Sequence, residues 1–427
     1  MIEIINIILF PFALIIFFQN HFFPKLFDNK YGKKNSYLDF YILNIFIILN
    51  LILLISLLNF NIQFTIIILL IYFFLVNIFN FNLKIISQSV YSLLALIIIF
   101  YILSTYIVAN PDLGWDGKFH WYKKALNFFQ NMGFENLSNL PKYEYPHFGV
   151  YLWALFWSIN PLNFEYFGRL FYLFLYLLSV FSIVDLLNNK NLKLILFTTL
   201  SLISFKFDHF TGNQDILVFS MLVFLSRYLY LIYEKREQTL FNLILFILIN
   251  NIILWIKYEC VVYVISSYLI LLIYNLLKKD YKYLLLIFLS FLFTLIFKLS
   301  ISHLYQINLN ASFQFSGEYD LSKLFDINLF FYKFFIIFKY YFFSLFKNPV
   351  LLIGYTSLAL VFLQKIKISF MNIFLFLLFN LSSFLIFYII QIDFEWHVAY
   401  GIDRYILQFS GFSILFLVVF LNKIFKS

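Results

Sequence analysis

Residues 240–277 read LFNLILFILINNIILWIKYECVVYVISSYLILLIYNLL. Only Lys257 and Glu259 carry charge in this run. A helix needs about 20 apolar residues to cross the hydrocarbon core of a bilayer, so the run is long enough for two crossings with a weak boundary near residue 256. Lys257 and Glu259 must pair with something or face a wet cavity. Residues two apart point in different directions on a helix, so pairing with each other requires the helix to break. The alternative is a separate partner for each on neighbouring helices.

The same pattern extends over the chain. Its 427 residues are 63% hydrophobic and only 12% charged, with a formal net charge of +9. A soluble domain has about 25% charged residues, and half that cannot coat a water-facing surface of this size. A soluble enzyme, a disordered chain and a coiled coil are excluded. The single Cys260 excludes an internal disulfide framework and a Cys-rich metal centre. Phe (63 residues) and Tyr (32) are so abundant, alongside Ile, Asn and Lys, that AT-rich codon usage accounts for part of the bias.

The reading is an all-α polytopic membrane protein of about thirteen transmembrane helices. They fall at 2–19, 38–58, 63–81, 86–108, 164–187, 192–207, 215–233, 240–256, 257–277, 283–302, 349–363, 368–390 and 404–422. Two more apolar stretches, 147–160 and 329–346, are expected as interfacial helices. The second carries Lys333 and Lys339, which can snorkel. The first apolar stretch lacks a basic leader and a small-residue cleavage site, so it reads as a span. Sixteen of the 30 Lys and Arg fall in links that then share one side, which the positive-inside rule makes the cytoplasm. The N-terminus is expected outside and the C-terminus in the cytoplasm. Fifteen of the 21 acids sort to the outer side, and ionisable groups at a bilayer mark function by default.

Five segments carry chemistry. In the loop after 86–108, Asp112 precedes Trp115-Asp116-Gly117-Lys118-Phe119-His120. On a helix Asp116 and His120 share a face, and such a pair can take a proton from a hydroxyl or amine; a solvated surface helix is the plainer alternative. Glu144-Tyr145-Pro146-His147 follows, and then Arg169 just inside an apolar run. Its guanidinium suits a phosphate, or equally pairs with Glu165 one turn away. Asp208-His209 and Asp215 flank a short turn, where Asp215 either serves the site or caps a helix. Lys257 and Glu259 are the fourth segment. The fifth, Asp393 to Arg404, includes Glu395, Trp396, His397 and Asp403. No ATP-binding phosphate loop, dinucleotide fingerprint or metal-ligand spacing occurs. The basic residues are scattered, which argues against nucleic acid.

In this order the segments resemble the GT-C superfamily of integral-membrane glycosyltransferases, which includes protein O-mannosyltransferases and lipid A aminoarabinose transferases. Trp115-Asp116 through His120 is similar to the acidic motif of the family's first large outer loop. Tyr145-Pro146-His147 resembles its Tyr-Pro-Pro-like stretch, and Gly168-Arg169 its Arg-headed span. Asp215, Lys257-Tyr258-Glu259 and Trp396-His397 through Asp403-Arg404 resemble later motifs. The likeness covers roughly residues 86–300 and 391–405, leaving 1–85 as an N-terminal three-helix extension to an 86–427 catalytic domain. Gly117 departs from the family's second acid and His147 from its second Pro.

The resemblance implies a bacterial inner-membrane enzyme that moves a sugar from a polyprenyl-phosphate donor to a lipid or glycan acceptor, with inversion. It implies catalytic roles for Asp116, as general base, and Asp215. It implies substrate binding by Asp112, His120, Glu144, Tyr145, His147, Arg169, Lys257, Glu259, His397 and Arg404. No cofactor is expected; a divalent metal has no ligand cluster behind it. An O-antigen polymerase or ligase, relying on late-loop Arg and His, and a non-catalytic lipid or glycan transporter are the alternatives.

Overall fold

The computed structural model describes residues 2–19, 37–77, 83–140, 145–234, 239–305, 327–366, 368–389 and 394–425. Among these, all regular structure is helical. The order begins with α1 (Ile2–Phe17), α2 (Tyr37–Leu57), α3 (Ile62–Asn77), α4 (Leu83–Ser92) and α5 (Leu94–Ala109). After a π-helical turn at Gly117–Trp121 come α6 (Tyr122–Phe129), α7 (Phe148–Ile159), α8 (Tyr166–Val184) and α9 (Lys190–Ile203). The chain continues through α10 (Asp215–Glu234), α11 (Thr239–Ile253), α12 (Cys260–Lys278) and α13 (Tyr281–Leu304). It ends with α14 (Ile327–Lys347), α15 (Pro349–Leu363), α16 (Phe370–Ile389), α17 (Phe394–Phe409) and α18 (Gly411–Ile424).

Among the described residues, seven helices are long and apolar enough to cross a membrane: α2, α8, α10, α12, α13, α14 and α16. The count becomes eight if α17 and α18, bent by 41° at Ser410, form one span. This is the make-up of a polytopic integral-membrane protein. Six stretches expected as full spans form helices of 14–16 residues instead: α1, α3, α5, α9, α11 and α15. At 1.5 Å per residue these are about 21–24 Å long, short of a hydrocarbon core of about 30 Å. Local signals fix several of their starts. Asn189 caps α9 by accepting from the backbone N–H of Asn191 and Leu192. Asn348 caps α15 through Leu351 N–H, with Pro349 in the first turn. The expected 86–108 helix breaks at Leu93.

Both expected interfacial helices differ from expectation. From Phe148 to Trp157, α7 is buried on every side, so it lies inside the protein and not along its surface. Gly168 allows this, since a Cβ there would sit 2.2 Å from Cδ1 and 2.4 Å from the carbonyl oxygen of Trp153. For its part, α14 has 21 residues and enough apolar character to cross. Lys333 does not snorkel outward: it is buried and donates to the Tyr388 carbonyl (2.9 Å). Helix α14 follows α17 along its length, joined by Tyr332 to Glu395 (2.6 Å), by Ser344 to Asp403 and by Lys347 to Asp403 (3.7 Å).

The main hydrophobic core runs from Leu14 to Val419 and includes helices before residue 86, with a small second cluster at Val361, Phe376, Phe416 and Phe420. At its centre α8 and α10 are almost wholly buried. Arg227 of α10, a charge inside an expected span, pairs with Asp39 of α2 at 2.7 Å and also donates to the Ser182 carbonyl. Both side chains are at most 10% exposed. Removing one partner of such a pair strands the other, a cost of about 3–5 kcal/mol, whereas replacing both by apolar residues is often neutral. Asp39→Ala should therefore lower the unfolding midpoint of the detergent-solubilised protein sharply. Asp39→Leu with Arg227→Met should recover most of the loss, and a double variant no better than the single would refute the pairing.

Candidate functional site

Three segments distant in sequence meet at the first turn of α10. Asp215 opens that helix and is 1% exposed. Its Oδ1 accepts from Lys257 Nζ at 2.8 Å and from Gln408 Nε2 at 2.6 Å. Its Oδ2 accepts from Arg404 Nε at 3.0 Å. Arg404 Nη1 also donates to Asp116 Oδ2 at 2.7 Å. Lys257 Nζ lies 2.9 Å from Glu259 Oε1, which Gln408 Nε2 reaches at 3.2 Å. Tyr263 donates to Gln408 Oε1 (3.0 Å) and so fixes which way the amide faces. Buried charges are tolerable only when paired, and each charged group of the cluster has an opposite charge within hydrogen-bond distance.

Lys257, Glu259 and Asp116 reach the cluster from breaks in regular helix, Asp215 from a helix start and Arg404 from within α17. Helix α11 ends at Ile253 and α12 starts at Cys260. The non-helical chain between them brings Lys257 and Glu259 together, as two residues two apart require. Asp116 immediately precedes the π-helical turn Gly117–Trp121. Its loop rests on the 207–214 turn through Gly114 N–H donating to Thr211 O at 2.9 Å. Gly117 has a steric reason: a Cβ there would lie 2.2 Å from the Thr211 carbonyl oxygen and 3.2 Å from Gly212 Cα.

The cluster borders a cavity of about 340 Å³. Asp116, Lys257, Glu259 and Arg404 line it, as do His120, Tyr145 and His397. Aromatic rings form much of the remaining wall, among them Trp121, Tyr258, Trp396, Tyr400 and Tyr405. Trp121 and Tyr145 stack at 5.6 Å, with Lys124 Nζ over both rings. Trp396 (58% exposed) and Tyr400 (70%) are the most open of the wall's rings. An aromatic cavity with a few convergent charged groups is the usual form of a small-molecule site.

Several expected residues lie elsewhere. Asp215 sits behind Arg404 and does not line the cavity; held by three donors, its carboxylate positions the two cations. Asp112 is exposed and also outside the wall. Arg169 is fully buried and grips Glu165 with two nitrogens (2.8 and 3.1 Å). It also donates to the carbonyls of Pro111 (2.8 Å) and Phe210 (3.3 Å). It thus clamps the Asp116 loop to the neighbouring turn and is not placed to receive a phosphate. His147, 2% exposed, shares a hydrogen bond with Ser56 Oγ (3.0 Å) beneath α7 and is a packing residue. Glu144 and Asp393 lie outside the described residues.

Gln408, which joins two carboxylates, escapes a reading built on charge because it carries none. Its one signal is its place, a helical turn after Arg404, as a polar residue in an apolar run. Among the described residues no group of three His, Cys, Asp or Glu could hold a metal ion. Compared with protein-family models, curated proteins and solved structures, the chain has no match.

Two histidines beside the site titrate abnormally. Burial, with Lys124 and Lys298 nearby, pushes His147 down to about 3. Burial also lowers His209 to about 4, against the pull of Asp215 and Asp208. Depressed folded-state values mean the unfolded chain binds more protons below the ordinary value near 6.5. Stability is then complete above pH 6.5 and falls as pH drops towards 4 and 3, by about 1.4 kcal/mol per pH unit for each histidine. His147→Gln should remove roughly half of the histidine share of that slope between pH 6 and 4.5, measured as unfolding midpoint against pH. An unchanged slope would show that His147 is not held neutral.

Proposed function

We propose that the protein is a membrane glycosyltransferase of the GT-C kind, transferring a sugar from a polyprenyl-phosphate donor to a lipid or glycan acceptor. The observation that carries this reading is the meeting of Asp116, Lys257, Glu259 and Arg404, through Asp215, on one aromatic-walled cavity. The reading places the protein in a bacterial inner membrane, with the site on the outer side. It takes no metal as a requirement.

In the proposed reaction the acceptor hydroxyl or amine enters the cavity beside Asp116. The Asp116 carboxylate takes its proton as the acceptor atom attacks the anomeric carbon. The bond from that carbon to the phosphate oxygen breaks, and the phosphate leaves with the electron pair. Attack opposite the leaving group inverts the anomeric centre. Arg404 and Lys257 stabilise the charge on the departing phosphate. The tyrosine and tryptophan rings give a sugar apolar faces to rest on, and His120, Glu259 and His397 supply hydrogen bonds to its hydroxyls.

A second reading, a glycan polymerase or ligase, draws on His397 and Arg404, which both lie on the cavity wall. Mass spectrometry of lipid-linked sugars and surface glycans separates the two. At matched protein level, Asp116→Asn should reduce transfer by about 10²–10⁴-fold, the usual contribution of a general base. Donor lipid should accumulate. Full activity in Asp116→Asn would overturn the base assignment. An altered glycan length in His397→Gln, with Asp116→Asn silent, would favour the polymerase.

A further inference from the structure

The two bonds made by Arg404 are unequal. Nε is held by Asp215, which is 1% exposed and is gripped by Lys257 and Gln408 as well. Nη1 is held by Asp116 through a single bond of 2.7 Å, and the Asp116 side chain is 26% exposed at the cavity. The other cation, Lys257, is already shared between Asp215 and Glu259. Three carboxylates thus surround two cations, so an anion entering the cavity meets a site with no surplus positive charge.

For a phosphate to bind, a carboxylate must yield, and the geometry selects which. Asp215 is buried and bonded to three donors, so it stays. Asp116 is partly open and held once. A phosphate can offer two oxygens to the terminal nitrogens of the guanidinium, a bidentate contact stronger than the single bond it replaces. We propose that the donor phosphate displaces Asp116 from Arg404, while Asp215 and Gln408 keep Nε anchored, so that the Asp116 carboxylate is released only when a donor is in place. Before that, Arg404 withholds the base. The donor therefore binds ahead of a productive acceptor. This rests on the glycosyl-transfer reading above and adds to it the order of events and the positioning role of Asp215 and Gln408.

The sign of one mutation tests the exchange. If Asp116 competes with phosphate, removing its charge tightens phosphate binding, whereas a carboxylate that helps hold the donor would give the opposite. Polyprenyl monophosphate binding is measured on the full-length protein in neutral-lipid nanodiscs. Asp116→Asn should bind about tenfold more tightly than wild type, equivalent to about 1.4 kcal/mol. Arg404→Gln should bind more weakly, and adding Asp116→Asn to it should bring no tightening. The exposed Asp208, on the adjoining turn, controls for net charge, and Asp208→Asn should leave affinity unchanged. Asp116→Ser should repeat the Asp116→Asn result, so the outcome does not hang on one variant. Unchanged or weaker binding by Asp116→Asn, or equal tightening by Asp208→Asn, overturns the exchange alone. No binding by wild type overturns both the exchange and the polyprenyl-phosphate reading.

Discussion

The carboxylate of Asp215 is the interaction on which the site depends. It is buried at the start of α10 and holds Arg404, Lys257 and Gln408 together. Without it, Lys257 would keep only Glu259 and Arg404 only Asp116, and no carboxylate would tie the two pairs together. Three segments, the first turn of α10, the 254–259 break and the polar face of α17, are joined there. Twelve residues further along α10, Arg227 makes a second buried ion pair with Asp39. The central helix is thus pinned by charge near both ends, with hydrophobic packing between them.

A cavity in a bundle of apolar helices requires interruptions, and interruptions expose backbone polar groups. In a bilayer such groups are tolerated only where protein or a water-filled cavity meets their hydrogen-bonding needs. At the 254–259 break Lys298 Nζ donates to the Leu254 carbonyl (2.6 Å), and Phe148 N–H donates to the Trp255 carbonyl (3.1 Å). At the Asp116 loop, Gly114 and the Arg169 clamp do the same. Lys298 and Arg169, cations outside the cavity, therefore support the site from behind. They supply the donors that let the chain leave helix where the cavity needs it.

Much of the site was legible because charge is scarce. Asp116, Lys257, Glu259 and Arg404 stand out against apolar surroundings, and the broken helix that pairing of Lys257 with Glu259 demands is present. The same signal also picks out Arg169 and His147, which do not line the cavity. A buried charge needs a partner whether or not it meets a ligand, and Arg169 finds Glu165 one turn away. Scarcity marks where polar groups must be satisfied and does not say by what. Gln408 escaped for the complementary reason, since an uncharged amide leaves no mark in a charge census.

Composition and run length alone determined an all-helical, membrane-type chain, because 12% charge cannot solvate the surface of 427 residues and long apolar runs must be helical in lipid. They also placed most of the helices, though not their lengths. Only the tertiary structure decided that 148–157 is enclosed, that 327–347 is long enough to cross, and which carboxylates face the cavity. Those outcomes depend on where Gly168 lets helices approach and on which donors reach Asp215. They also depend on how a π turn and a six-residue break bring side chains up to 288 positions apart to one point. None of these is a periodicity of the sequence, and so none could be read from it.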